Sequence, residues 1–219
     1  MNPQELLYWV RGTGLQISAA VFVFGMSYRM LHLALLGRKK NLAAARGSEW
    51  GPGLRTMWRR SFVLPALSAR GKFTVVAGYA FHLGFFITLF FLSQHIELLR
   101  AVFGFGWKAM PRSIIDISAI LAIAALIALL VHRVVDPVKR LLSGFEDYLT
   151  WTLSFLPLLS GYMLLRGIGF DYTTLMILHL ISVELLLIAI PFTKLAHMLS
   201  TFSARWYNGA VAGYKGVKV

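Results

Sequence analysis

Five stretches of this chain, roughly 15–36, 73–93, 114–132, 148–165 and 173–196, are long and apolar enough to cross a bilayer core of about 30 Å, which takes about 20 helical residues. Lipid offers no partner to a backbone N–H or C=O, so each spanning segment has to pair its own, as a helix does. The expectation is an all-α membrane protein: a single domain over 1–219 built as a five-transmembrane-helix bundle. Only 14% of the 219 residues are charged against 58% hydrophobic, which excludes an ordinary soluble domain. An odd number of spans puts the two termini on opposite sides of the membrane.

The net charge of +13 is unevenly placed. The connection 37–72 carries Arg38, Lys39, Lys40, Arg46, Arg55, Arg59, Arg60, Arg70 and Lys72 against one acid, Glu49. The same side receives Arg133, Lys139, Arg140, Arg205, Lys215 and Lys218, and the other side only Arg11, Arg100, Lys108, Arg112 and Arg166. Positive charge collects on the cytoplasmic face, so the N-terminus is expected outside and the C-terminus in the cytoplasm. That distribution accounts for the charge without nucleic acid as a partner. The opening "MNPQELLYWVRG" lacks the basic start and small-residue cleavage site of a secretory signal, so the first span is expected to be a retained helix.

The basic loop 37–72 is too long for a tight helix–helix link. Its "SEWGPGLRTMWRR" mixes turn residues with tryptophan and arginine. Two readings stay open: a docking surface for a soluble partner, or an amphipathic stretch lying on anionic lipid. Pro137 is expected to stop the third helix, and the fourth opens after "SGFEDYLTW".

Cysteine is absent, which excludes an iron–sulfur cluster, thioether-bound haem or a disulfide within the chain. A redox centre here has to hang on histidine or methionine. Four of the six histidines fall in two spans, His82 and His95 in the second and His179 and His197 in the fifth; His32 and His132 sit at inner helix ends. Ionisable groups at membrane depth are costly and generally functional. On one continuous helix the eighteen-residue step from His179 to His197 is about five turns, which puts both rings on one face about 27 Å apart. Helices two and five run antiparallel, so His95 is expected to meet His179 near the outer surface and His82 to meet His197 near the inner one. Each pair can clamp a b-type haem iron between two imidazoles, with the irons on the order of 20 Å apart. The thirteen-residue step from His82 to His95 is about 140° out of phase on an ideal helix, so an irregularity near Gly84 is expected to correct it. The alternative for each ring is a plain hydrogen bond to a neighbouring helix.

"LHLISVELLLIAIPFTKLAHMLS" resembles the last helix of the gamma subunit of respiratory nitrate reductase, with His179, Leu180, Pro191, Phe192, Thr193, Lys194, Leu195, His197 and Ser200 matching that pattern. The likeness extends to "FHLGFF", "HRVVDPVKR", Asp147 and Arg29, over most of 15–202. It implies a di-haem cytochrome b of a bacterial or archaeal cytoplasmic (inner) membrane. In such a protein His95 and His179 hold the outer haem, His82 and His197 the inner one, and quinol reacts at an outer site. Nitrate reductase gamma chains carry a further Gly-His-Phe-Phe-type motif in helix two, where this chain reads "FITLFF". That departure points toward related cytochromes b that serve heterodisulfide-reductase-like or sulfur-metabolism complexes.

The expected function is a membrane-anchor subunit that exchanges electrons between the quinone pool and a soluble iron–sulfur or other redox subunit, which performs the terminal chemistry. Arg29 is expected either to pair with an inner haem propionate or to snorkel to the headgroups. Lys108 and Arg112 are candidate hydrogen-bond donors to a quinone carbonyl, with Asp116 a candidate proton acceptor. Glu184 points about 140° away from the haem face, for proton handling or structural pairing. The competing readings are a proton-coupled transporter, a metal-dependent membrane enzyme and a haem-free anchor. The chain has no H-E-x-x-H and no internal repeats, which weighs against the first two.

Overall fold

The computed structural model describes residues 2–36, 42, 44–62 and 71–217, so Arg38, Lys39, Lys40 and Arg70 of the basic loop, and Lys218, lie outside the described residues. Every regular element among the described residues is helical, and five helices are long and apolar enough to span a membrane.

Helix α1, Pro3–Leu35, starts a dozen residues before the expected position. Asn2 and Glu5 form a reciprocal capping box, and Pro3 occupies the first turn, where its missing N–H costs nothing. Residues Val10–Gly14 take a π-helical turn within it. The short helix α2, Trp50–Arg59, lies in the basic connection. The second span, α3, is Lys72–Phe91, and a new helix, α4, runs Ser93–Phe103 to a left-handed Gly104. Between them Leu92 is extended (φ −74, ψ 130). His95 is therefore not on the second span, and the irregularity falls at Leu92 instead of Gly84.

The third span, α5, is Arg112–Val135. Asp136 then caps α6, Pro137–Leu142, by accepting from the Val138 and Lys139 amides. The fourth span, α7, is Phe145–Arg166, and the fifth, α8, is Tyr172–Ala189, capped by Asp171. The expected single helix to 196 is corrected here. Pro191 has no N–H to carry the ladder on. The chain passes through 3₁₀ turns Ile190–Phe192 and Lys194–Ala196, then enters α9, His197–Tyr214.

Side by side, the spans pack in the order α3–α5–α7–α8–α1. In lipid, helices associate by close packing because the tails are as apolar as leucine. Accordingly α5 buries a small-residue face, Ser118, Ala119, Ala122 and Ala125. Gly84 of α3 sits so close to it that a Cβ there would come within 2.9 Å of the Ala122 Cβ. Ala122, Leu126 and Leu158 form the buried centre, flanked by Phe81, Phe85, Trp151 and Phe155. Helices α2 and α9 pack mainly on each other, as a two-helix module beside the bundle.

Candidate functional site

The break at Leu92 leaves the last carbonyls of α3 without helical partners. The His95 ring Nδ1 takes two of them, lying 3.1 Å from Thr88 O and 3.2 Å from Leu89 O. The Trp107 indole donates to Phe90 O (2.7 Å), and the Met110 amide to Phe91 O (3.1 Å). His95 is thus seated by the helix end itself. Burial pushes its pKa below the ordinary histidine value, partly offset by the Thr88 and Leu89 carbonyls, so the ring is held neutral.

His179 lies in the second turn of α8. Its Nδ1 is 3.2 Å from the Ser160 hydroxyl of α7, which is in turn 3.1 Å from Ser182 Oγ. Gly161 gives the ring its space, since a Cβ there would lie 2.9 Å from His179 Cε1. The His95 and His179 ring centroids are 6.2 Å apart with their planes 9° from parallel.

The second pair is His82, whose Nδ1 lies 2.7 Å from Gly78 O one turn back, and His197, whose Nδ1 lies 2.9 Å from Lys194 O. These centroids are 6.0 Å apart and the planes 82° apart. The non-helical passage that delivers His197 is fixed from α7. Glu146 accepts from the Lys194 amide (2.7 Å), and Asp147 pairs with the Lys194 ammonium (2.9 Å) and with Arg133 (3.4 Å).

An imidazole nitrogen sits about 2.0–2.1 Å from a bound first-row metal. The ring centroid lies about 1 Å behind that nitrogen, so two imidazoles on opposite sides of one iron have centroids about 6 Å apart. Both pairs meet that figure. All four Nδ1 atoms are engaged by a carbonyl or hydroxyl, which leaves each Nε2 as the available metal donor, the arrangement that orients metal-bound histidine. The ring spacings and the engaged Nδ1 atoms therefore fit two imidazoles sharing one metal ion at each pair.

The remaining candidates divide. Arg29 donates from Nη1 to Pro191 O at 2.7 Å, and so serves the broken end of the fifth span. Lys108 is exposed. Arg112 donates to Leu165 O at the end of α7. Asp116 pairs with Arg166 at 3.6 Å, and its Oδ1 is buried without a hydrogen-bond partner. Glu184 is buried against Gly14 in the π-helical turn of α1, with Oε1 likewise unpartnered. His32 stacks on Tyr28, and His132 lies edge-on to Phe73. Sequence reasoning passed over Ser160, Gly161 and Glu146. The adjacent Ser-Gly in an apolar helix was the available signal for the first two.

The chain is 34% identical over 137 residues to a protein of Nitratidesulfovibrio vulgaris Hildenborough. The match covers 63% of this chain and 60% of that protein's length. No family model matches the chain, and no solved structure does.

Proposed function

We propose that this multi-pass membrane protein is the di-haem cytochrome b subunit of a redox complex, exchanging electrons between the quinone pool and a partner subunit. The observation that carries the reading is the pairing of four histidines at 6.2 and 6.0 Å with every Nδ1 already held. Bound there, a b-type haem supplies reversible one-electron chemistry at membrane depth. His95 and His179 hold the iron near the N-terminal end of the bundle, where Gln4 of α1 meets Thr173 of α8 (3.4 Å). His82 and His197 hold the second toward the basic end. The charge asymmetry supports an outside N-terminus and a cytoplasmic C-terminus in a bacterial or archaeal inner membrane. On that orientation quinol reacts near the His95/His179 end, where Lys108 remains an exposed donor, and the partner subunit docks at the basic end. The likeness of residues 178–200 to the nitrate reductase gamma pattern supports the same assignment.

The test is a pyridine haemochromogen assay on the purified full-length chain with a reduced-minus-oxidised spectrum, repeated for His95→Ala, His179→Ala, His82→Ala and His197→Ala. The expected result is two b haems per chain, with each variant losing one. Absorbance should be lost in common within a pair and differ between pairs. Circular dichroism and gel filtration separate loss of haem from loss of fold. A haem-free wild type that is well folded overturns the reading in favour of a haem-free anchor or a transporter.

A further inference from the structure

Helix α2 turns one face to α9, and among the described residues its other face is left exposed. On the covered face Gly53 lies against the Trp206 indole, Gly209 fits against Thr56, and Arg205 donates to Ser61 Oγ at 2.9 Å. Turned away from that contact, at about 100° per residue, Leu54 and Trp58 share an arc of about 80° with Trp50, which borders the α9 contact with its ring 5.3 Å edge-on from Trp206. These three are 69%, 51% and 68% exposed, and Phe62 just past the helix end is 56% exposed. Exposed Arg55 flanks the stripe and exposed Arg60 follows it. Across the described parts of the module, Arg46, Arg55, Arg59, Arg60, Arg205 and Lys215 stand against the single acid Glu49. The Tyr79 hydroxyl donates to Ser61 O, which pins the end of α2 to the second turn of the membrane-spanning α3. The Trp58 end of the stripe is thus held beside the start of a membrane-spanning helix.

We infer that the Trp50–Leu54–Trp58 face of α2 is a binding surface for anionic phospholipid, its aromatic stripe seated in the headgroup–acyl boundary and Arg55 and Arg60 on the lipid phosphates. Tryptophan favours that boundary because its ring is apolar and its N–H polar. Arginine forks pair with phosphate oxygens, and basic side chains near an anionic leaflet each add attraction. A soluble acidic partner would match the arginines but would leave an exposed tryptophan stripe beside the start of a membrane-spanning helix unexplained. The inference stands independently of the haem assignment.

The chain has no cysteine, so single nitroxide labels at Leu54→Cys and Trp58→Cys in the full-length protein report this face alone. In vesicles of phosphatidylcholine with phosphatidylglycerol, both labels should be relaxed by oxygen more than by a water-soluble nickel chelate. Spin-labelled phosphatidylglycerol should associate with the protein more than spin-labelled phosphatidylcholine does. That preference should fall about fivefold for each of Arg55→Gln and Arg60→Gln. Labels open to the nickel chelate in these vesicles would overturn the inference and leave the face to a soluble protein. A lipid preference unchanged in the arginine variants would overturn the anionic assignment.

Discussion

Arg29 of the first span donates a 2.7 Å hydrogen bond to the carbonyl of Pro191, in the break of the fifth span. Gly25, one turn earlier, lies so close to Pro191 that a Cβ would come within 2.6 Å of the proline Cβ. Helix α1 thus props the corner where the chain leaves α8 for His197. Arg29→Met removes the donor and leaves that carbonyl to find another, a loss of about 1 kcal/mol for a charge-assisted bond that is partly exposed. On the proposed haem assignment, the expected outcome is weakened haem retention at the His82/His197 pair with the other pair unaffected, checked by haem stoichiometry after mild detergent challenge. Loss from both sites equally would show Arg29 acting on the fold at large.

Gly161 offers the complementary test at the other pair. Alanine in a helix interior is ordinarily favoured over glycine by about 0.5–1 kcal/mol. Here the added Cβ would meet His179 Cε1 at 2.9 Å and Nδ1 at 3.2 Å, and overpacking of that kind costs about 1–3 kcal/mol. The steric term wins, so Gly161→Ala should tilt the His179 ring and, on the proposed assignment, disturb the haem of that pair alone. The low-spin ferric resonance of the His95/His179 site should shift or vanish in an electron paramagnetic resonance spectrum, while the second signal stays. An unchanged pair of signals with a raised melting temperature would show that the ring does not need the space.

The helical class and the span count were legible because hydrophobic run length fixes them without side-chain detail. The two breaks were not. The thirteen-residue phase error between His82 and His95 announced that one helix had to be interrupted, yet nothing in "FITLFFLSQH" marks Leu92 over its neighbours. What holds the break is Trp107 and Met110 closing carbonyls from a later segment. Pro191 lies within the apolar run 173–196 expected as one helix, and its missing N–H is what ends the ladder there. The eighteen-residue step to His197 was accordingly counted along a helix that ends at Ala189. Glu184 looked like an isolated polar residue in the sequence, and its neighbour Gly14 lies 170 residues away.

Asp147 joins three elements. It accepts from the Gly144 amide at the start of α7, pairs with Arg133 of α5, and binds the Lys194 ammonium beside His197. Asp147→Asn keeps the size and one acceptor while removing the charge both cations share. Lys194→Met removes only one of those pairs, and its side chain is 56% exposed, so the effect is about 1 kcal/mol or less. Asp147→Asn is therefore expected to lower thermal stability more than Lys194→Met. On the proposed haem assignment, both should affect haem retention at the His82/His197 pair before the other pair. A double-mutant cycle over the melting temperatures checks the order, with coupling expected between the two sites.

Asp171 opens the fifth span, and protonation of its carboxylate should loosen the His179 end. It accepts from the Thr174 hydroxyl at 2.7 Å and the Thr174 amide at 3.0 Å. Those bonds, the hydroxyl first and the amide next, hold its pKa below the usual aspartate range. The protonated acid cannot accept from both donors as the carboxylate does. A depressed carboxylate contributes stability that is complete above the unfolded value of about 3.9 and is lost as pH falls through the lower folded value. Between neutrality and about pH 5 the cap is therefore insensitive to acid, and below about pH 4 it weakens. Hydrogen exchange at the first amides of α8 should accelerate in that lower window in the wild type. In Asp171→Asn, which caps without titrating, the same amides should show no added acceleration there.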